Sequence, residues 1–177
     1  PIERIRETVT VYTARTSTGR LSGPGFEAPC VFGKGGLVAA ADKREGDGAS
    51  PVGVWPVRRI FYRADRIEAP QSRFRLDAIE PEDGWCDAPV DPAYNRLVLR
   101  PYAASHETLT REDGLYDLIV VLGHNDDPPV PNLGSAIFLH CRPDHDRGTL
   151  GCLAIARDDL VILIEALHPG DAVEMAP

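Results

Sequence analysis

A histidine and a cysteine twelve positions apart, His140 and Cys152, each sit at the edge of a short apolar run. His140 ends the segment Gly134-Ser-Ala-Ile-Phe-Leu-His140, and Cys152 follows Gly151 and opens Leu153-Ala-Ile155. Two buried strands, over Ala136–Leu139 and Cys152–Ile155, are predicted to aim both side chains at one spot. The chemistry such a pair can do is nucleophilic. A thiol attacks poorly until a base takes its proton, and imidazole is the base matched to neutral pH. Gly151 lets the chain turn sharply, and the amides around it, of Leu150, Gly151 and Cys152, can face an oxyanion. Taken alone, a cysteine beside a glycine reads equally as a packed core residue.

The elements that must hold this pair read as mostly strands. Thr8–Tyr12 is β-rich, Thr18-Gly19 is a turn, and Arg20-Leu21 begins a return strand. Phe26–Phe32, Val57–Tyr62, Leu97–Leu99 and Tyr116–Leu122 follow as strands, the last apolar enough to be central and buried on both faces. Gly33-Lys-Gly-Gly36 lacks the spacing of a phosphate loop and reads as a hairpin turn. Ser105–Thr110 reads as one helical turn, and Ala172–Met175 as a last strand. One clear helix spans about 157–167, with Leu160, Leu163, Ile164 and Leu167 on one face, Asp158 or Asp159 at its start and His168-Pro169-Gly170 to end it. Residues 63–95 are rich in Pro, Asp, Glu and Arg and read as a long irregular stretch, the kind that serves as a lid or binding loop. The sum is a mainly β chain, 1–177, expected to form a single domain.

Composition narrows the function. Net charge is −8, with no basic patch, so nucleic acid is not an expected partner. No apolar run is long enough for an integral membrane segment. The four cysteines, Cys30, Cys86, Cys141 and Cys152, contain no Cys-x-x-Cys pair. If Cys152 is a nucleophile, the other three form one disulfide plus a free thiol, or stay as three buried free thiols, which is the expectation. The chain begins at Pro1 with no visible signal peptide.

Several segments together resemble a known family. Ser135–His140 and Thr149-Leu-Gly-Cys152 are similar to the His…Ser/Thr-x-Gly-Cys signature of the L,D-transpeptidases, the YkuD-type domain. Lys43-Arg-Glu-Gly-Asp47 with Ser50-Pro-Val-Gly53 is similar to the family's Lys-x-Glu-Gly-Asp…Thr/Ser-Pro-x-Gly segment. Gly84-Trp-Cys-Asp87…Tyr94-Asn-Arg96 and Tyr116-Asp-Leu-Ile…Gly123-His-Asn125 resemble a compact bacterial branch. The resemblance covers roughly residues 30–175. It implies a β-sandwich-type sheet assembly, and a cysteine-dependent acyltransferase acting on peptidoglycan stem peptides through a thioester to form cross-links. In that reading Cys152 is acylated, His140 is its base, and Gly151 and Thr149 shape the turn. Trp85, Tyr94, Asn95, Arg96, His124 and Asn125 are the candidates for substrate contact. No cofactor or metal is implied. The expected setting is the periplasm or cell envelope, the expected state a monomer, and carbapenems are expected to acylate Cys152.

The chain departs from the commonest family pattern twice: Leu150 stands where many members have His, and Ala154 where many have Arg or Asn. Arg96, Arg142 and Arg147 are candidates to replace a lost positioning side chain. The alternatives are an L,D-carboxypeptidase or endopeptidase on the same scaffold, or a non-catalytic peptidoglycan-binding module. A second constellation, His124, His140, Cys141, Asp144, His145 and Asp146, has zinc-compatible donors but no familiar ligand spacing, and reads as a solvated loop.

Overall fold

The computed structural model describes residues 8–142 and 148–177. The strands are, in chain order, β1 (Val11–Arg15), β2 (Arg20–Gly23), β3 (Phe26–Val31), β4 (Leu37–Ala39), β5 (Ser50–Tyr62), β6 (Leu76–Ala78), β7 (Asp83–Cys86), β8 (Leu97–Leu99), β9 (His106–Thr108), β10 (Leu118–Leu122), β11 (Phe138–Cys141), β12 (Leu153–Ile155) and β13 (Ala172–Ala176). The one α-helix among the described residues, α1, spans Arg157–Ala166. None of these helical residues forms a segment long and apolar enough to cross a membrane.

Ten strands share one sheet, in the order β10-β11-β12-β3-β2-β1-β13-β5-β4, with β6 beside β5. The long β5 also pairs with β10, so the pairings run round in a ring. The two halves of that ring enclose a common core. Ala14, Leu21, Val173 and Met175 come from one half, Val120, Leu139, Leu153 and Ile155 from the other. Helix α1 adds Leu160, Leu163 and Ile164 on the spacing read from the sequence, and Leu167 joins them just beyond its last turn. β10 is buried along its whole length between β11 and β5, as its unbroken apolar run requires.

A second, three-stranded sheet, β8-β7-β9, accompanies the main sheet. It changes two expectations. The stretch 63–95 is not irregular throughout: it contains β6, which adds parallel to β5, and β7, which is central in the small sheet. Ser105–Thr110 is not a helical turn, because His106–Thr108 pairs with β7, placing Glu107 opposite Trp85. Neither Asp83-Gly-Trp-Cys86 nor His106-Glu-Thr108 carries an alternating apolar pattern, so pairing partners rather than local propensity decide their conformation. Gly33–Gly36 does turn, with the Gly36 N–H on the Gly33 carbonyl at 2.9 Å, but it joins β3 to β4, which do not pair, and so it is not a hairpin.

The small sheet and the main sheet share a second apolar cluster. Trp85, Leu109 and Tyr116 meet Phe61, Ile119, Val121, Phe138 and Cys152 there, and the Trp85 and Phe138 rings meet edge to face at 5.1 Å. All four cysteines are free and buried.

Candidate active site

β11 and β12 lie side by side in parallel, with Leu139 opposite Leu153 and His140 opposite Ala154. Side chains alternate along a strand. Leu139, Cys141, Leu153 and Ile155 therefore enter the first core, while Phe138 and Cys152 join the second. His140 keeps step with Phe138. One period of two thus sends the imidazole and the thiol to the same side of the sheet, where both line a cavity of about 800 Å³. The strands start and end one or two residues away from the predicted positions. Ala136 lies outside β11 with φ +54, and Cys152 immediately precedes β12.

The thiol is held from two sides. Cys152 Sγ donates to the Ala136 carbonyl at 3.1 Å and accepts from the Phe138 N–H at 3.4 Å. Burial, with the Glu107 carboxylate adding to it, pushes this thiol up to about 12. His140 Nδ1 lies 2.8 Å from the Cys141 carbonyl. A carbonyl only accepts, so Nδ1 carries the hydrogen and the neutral ring keeps its lone pair on Nε2. Burial brings His140 down to about 4. The resting pair is thus a neutral thiol and a neutral imidazole, and the two are not hydrogen-bonded to each other. The Tyr116 ring stands edge-on to His140 at 5.4 Å, and its hydroxyl reaches both oxygens of Glu107, at 3.4 and 3.3 Å.

The turn before Cys152 is fixed by two hydroxyls. Thr149 Oγ1 donates to the Cys152 carbonyl at 2.5 Å and accepts from the Gly151 N–H at 3.1 Å. Ser50 Oγ, fully buried, donates to the Gly151 carbonyl and accepts from the Gly33 N–H, both at 2.8 Å. Gly151 has φ +135, and a Cβ there would stand 2.9 Å from the Ala49 carbonyl oxygen. At Gly33 a Cβ would fall 2.3 Å from the Gly48 carbonyl oxygen and 2.9 Å from the Gly151 Cα. Backbone packs on backbone beneath the nucleophile, and both positions exclude side chains.

The profile of the YkuD family, the L,D-transpeptidase catalytic domain, matches residues 4–175. The chain belongs to the YkuD family. Two solved structures are similar to this L,D-transpeptidase-type chain, both from Mycobacterium tuberculosis: L,D-transpeptidase 1 (15% identity, TM-score 0.43) and L,D-transpeptidase 3 in complex with a faropenem-derived adduct (15% identity, TM-score 0.46). They cover 96% of this chain, which spans 62% and 60% of theirs. No curated protein sequence matches the chain. YkuD-family enzymes act on peptidoglycan.

Of the residues singled out from the sequence, Cys152, His140 and Thr149 line the cavity, and Gly151 shapes the turn beside it. The six substrate-contact candidates do not line it. Asn95 is buried; its Oδ1 accepts from Trp85 Nε1 and from the Ala136 N–H, both at 2.9 Å, and its Nδ2 donates to the carbonyls of His124 and Asn125. Asn125 closes its own loop onto Val130 and Gly134. Tyr94 donates to Glu45 at 2.5 Å and receives the Gly134 N–H at 3.1 Å. His124 is buried edge-on to Trp55 at 4.8 Å, and burial brings it down to about 4. Arg96 is exposed, and its carbonyl accepts from the Cys86 N–H. In this arrangement Asn95 reaches Cys152 through Ala136, whose carbonyl takes the thiol hydrogen.

Leu150 is 72% exposed on the cavity rim, whereas Ala154 is fully buried opposite His140. Arg142 lines a separate depression with Cys141 and Asp117. Arg147, and the Asp144, His145 and Asp146 of the zinc-like constellation, lie outside the described residues; among the described residues no cluster of three metal-ligating side chains forms. The cavity wall also holds Glu45, Asp87 and Tyr116, which stand in the family-like segments but were not singled out as site residues, and Glu107 and Arg111, which the sequence reading passed over. Glu107 lies within the segment read as a helical turn and Arg111 directly follows it, and no spacing in the sequence ties them to Cys152.

Proposed function

We propose that this protein is an L,D-transpeptidase whose nucleophile is Cys152. The observation that carries the reading is the shared cavity of Cys152 and His140 in a chain of the YkuD family. His140 Nε2 takes the thiol proton as sulfur attacks the carbonyl of an L,D peptide bond beside the donor stem's diamino acid residue. Both groups are neutral at rest, so proton transfer accompanies attack, and no standing thiolate is needed. The developing oxyanion needs N–H donors. The Gly151 amide is already given to Thr149, which leaves the amides of Leu150 and Cys152 as candidates. His140 then returns the proton to the leaving D-residue, and a thioester remains on Cys152. An amine of a second stem resolves the thioester and makes the cross-link. Because its substrate lies outside the cytoplasmic membrane, the protein acts in the periplasm or cell envelope.

The test is incubation of the purified protein with disaccharide stem peptides, followed by mass spectrometry. The expected result is a thioester on Cys152 and a cross-linked product, both absent in Cys152→Ala. Thioester turnover that yields only hydrolysed stems would make the protein a carboxypeptidase or endopeptidase. Binding of stems with no thioester would make it a recognition module. A turnover retained by Cys152→Ala would refute the nucleophile.

A further inference from the structure

The cavity that His140 lines also carries carboxylates whose work is not yet accounted for. Resting on the reading of Cys152 as the acylated nucleophile, we propose that Glu107 is the base that discharges the acceptor ammonium, working beside His140 at the same thioester. Proton counting leaves a role for such a group. An acceptor amine reaches the site as an ammonium at neutral pH, and two protons must leave its nitrogen before it becomes an amide. One ends on sulfur, by way of His140. His140 cannot take the other, because its Nδ1–H is committed to the Cys141 carbonyl and only Nε2 has a lone pair.

Four carboxylates line the cavity: Glu45, Asp47, Asp87 and Glu107. Two are occupied. Glu45 accepts from the hydroxyls of Tyr94 at 2.5 Å and Ser135 at 2.8 Å. Asp47 accepts from the Lys43 ammonium and from the N–H groups of Arg44 and Ala49. Among the described residues Glu107 is held only by the long contacts from Tyr116, the residue whose ring also abuts His140. Its charge acts directly on Cys152. The groups facing Glu107 are Asp87, Tyr116, Arg111, Glu45 and Cys152. Asp87 adds a second negative charge and has a buried Oδ1 without a hydrogen-bond partner among the described residues, while the guanidinium facing Glu107, that of Arg111, is already paired with Asp113, so this end of the cavity favours a cation. Burial, then Asp87, raises the Glu107 carboxyl to about 7, where it exchanges a proton readily at neutral pH.

The protons balance over one cycle. In acylation the donor amide nitrogen receives the thiol proton through His140 and leaves as a neutral amine. Protonated Glu107 then gives it a second proton, so that it departs as an ammonium and Glu107 is left ionised. In transfer, ionised Glu107 binds the acceptor ammonium and takes one proton from it. The neutral amine attacks the thioester carbonyl, the C–S bond breaks, and the remaining proton passes through His140 to sulfur. Enzyme, His140 and Glu107 end in their starting protonation states.

The experiment compares two acceptors with the same stem tetrapeptide donor: a D-amino acid, charged at neutral pH, and hydroxylamine, already neutral there. Glu107→Gln should lower the ratio of D-amino acid transfer to hydroxylamine transfer by about 10²-fold, whatever its absolute rates, and Glu107→Asp should restore part of it. The wild-type protein gives an independent reading should Glu107→Gln not fold. D-amino acid transfer, relative to hydroxylamine transfer, should level off above about pH 7 and fall below it. A rise that continues in proportion to the free amine would overturn the role of Glu107, as would an unchanged ratio in Glu107→Gln. In both cases the thioester on Cys152 would persist and the enzyme reading would stand. Absence of any thioester on Cys152 in the wild type would overturn both.

Discussion

Replacing Ser50 with alanine should disable the site from beneath. Ser50 Oγ bridges the Gly33 N–H and the Gly151 carbonyl at 2.8 Å each, in a fully buried position. Ser50→Ala leaves one buried donor and one buried acceptor unsatisfied, at about 1–3 kcal/mol each, so about 2–4 kcal/mol in total after partial relaxation. For a chain of this length that is a fall in Tm of about 5–15 °C. The second effect is local. Gly151 stands one residue before the nucleophile, so freeing its carbonyl lets the turn drift, and Cys152 acylation should slow by at least about 10-fold even well below the new Tm. Calorimetry together with intact-mass kinetics of carbapenem acylation measures both. A variant within about 0.5 kcal/mol of wild type, acylated at the same rate, would refute the idea that this hydroxyl clamps the turn.

Thr149 should separate hydroxyl from shape: Thr149→Ser keeps the contacts to the Cys152 carbonyl and the Gly151 N–H, whereas Thr149→Val loses both and should cost about 2–4 kcal/mol by chemical denaturation. His140→Ala should slow thioester formation by about 10²–10⁴-fold at neutral pH, with partial recovery in strong alkali as Cys152 ionises unaided, and an unimpaired variant would move the base elsewhere. Stability should depend on pH in a predictable direction. His124 and His140 are brought from 6.5 to about 4, so between pH 6 and 5 the unfolded chain binds two protons that the folded one does not. Glu107 is raised from 4.5 to about 7, so over the same interval the folded chain holds one proton that the unfolded chain lacks. The net is one proton, and stability should fall by about 1.4 kcal/mol as pH drops from 6 to 5; Glu107→Gln should roughly double that slope in urea titrations, and an unchanged slope would place its carboxyl in an ordinary environment.

That Cys152 and His140 converge on one cavity was legible because a strand period of two and a glycine before a cysteine are local signals. His140 and Cys152 needed only parallel neighbours to converge, and β11 and β12 are that pair. Helix α1 was legible for the same reason, with its apolar spacing complete within one segment. The cavity's far wall was not. Glu107 reaches the site because β9 pairs with β7, and β7 owes its place to Trp85 packing on Phe138, contacts between segments that share no local pattern. The polar residues of the 84–96 and 123–125 segments were conspicuous, yet conspicuousness did not reveal their contacts. Asn95 uses all its hydrogen bonds inward, on Trp85, Ala136, His124 and Asn125, because a buried amide must satisfy both ends. The clamp of Gly33 and Ser50 under Gly151 joins residues about a hundred positions apart, a distance no motif scan measures.

That clamp also sets an order of events. The nucleophile turn is held by residues far earlier in the chain, and β13, from the last residues, sits between β1 and β5 in the main sheet. Contacts of such sequence separation form late, because the loops they close cost entropy before any packing repays it. An incompletely synthesised chain therefore carries Cys152 as an ordinary thiol, without its turn or its oriented imidazole. The shared cavity of Cys152 and His140 is complete only with the assembled sheet, so the site and the fold form in the same cooperative step.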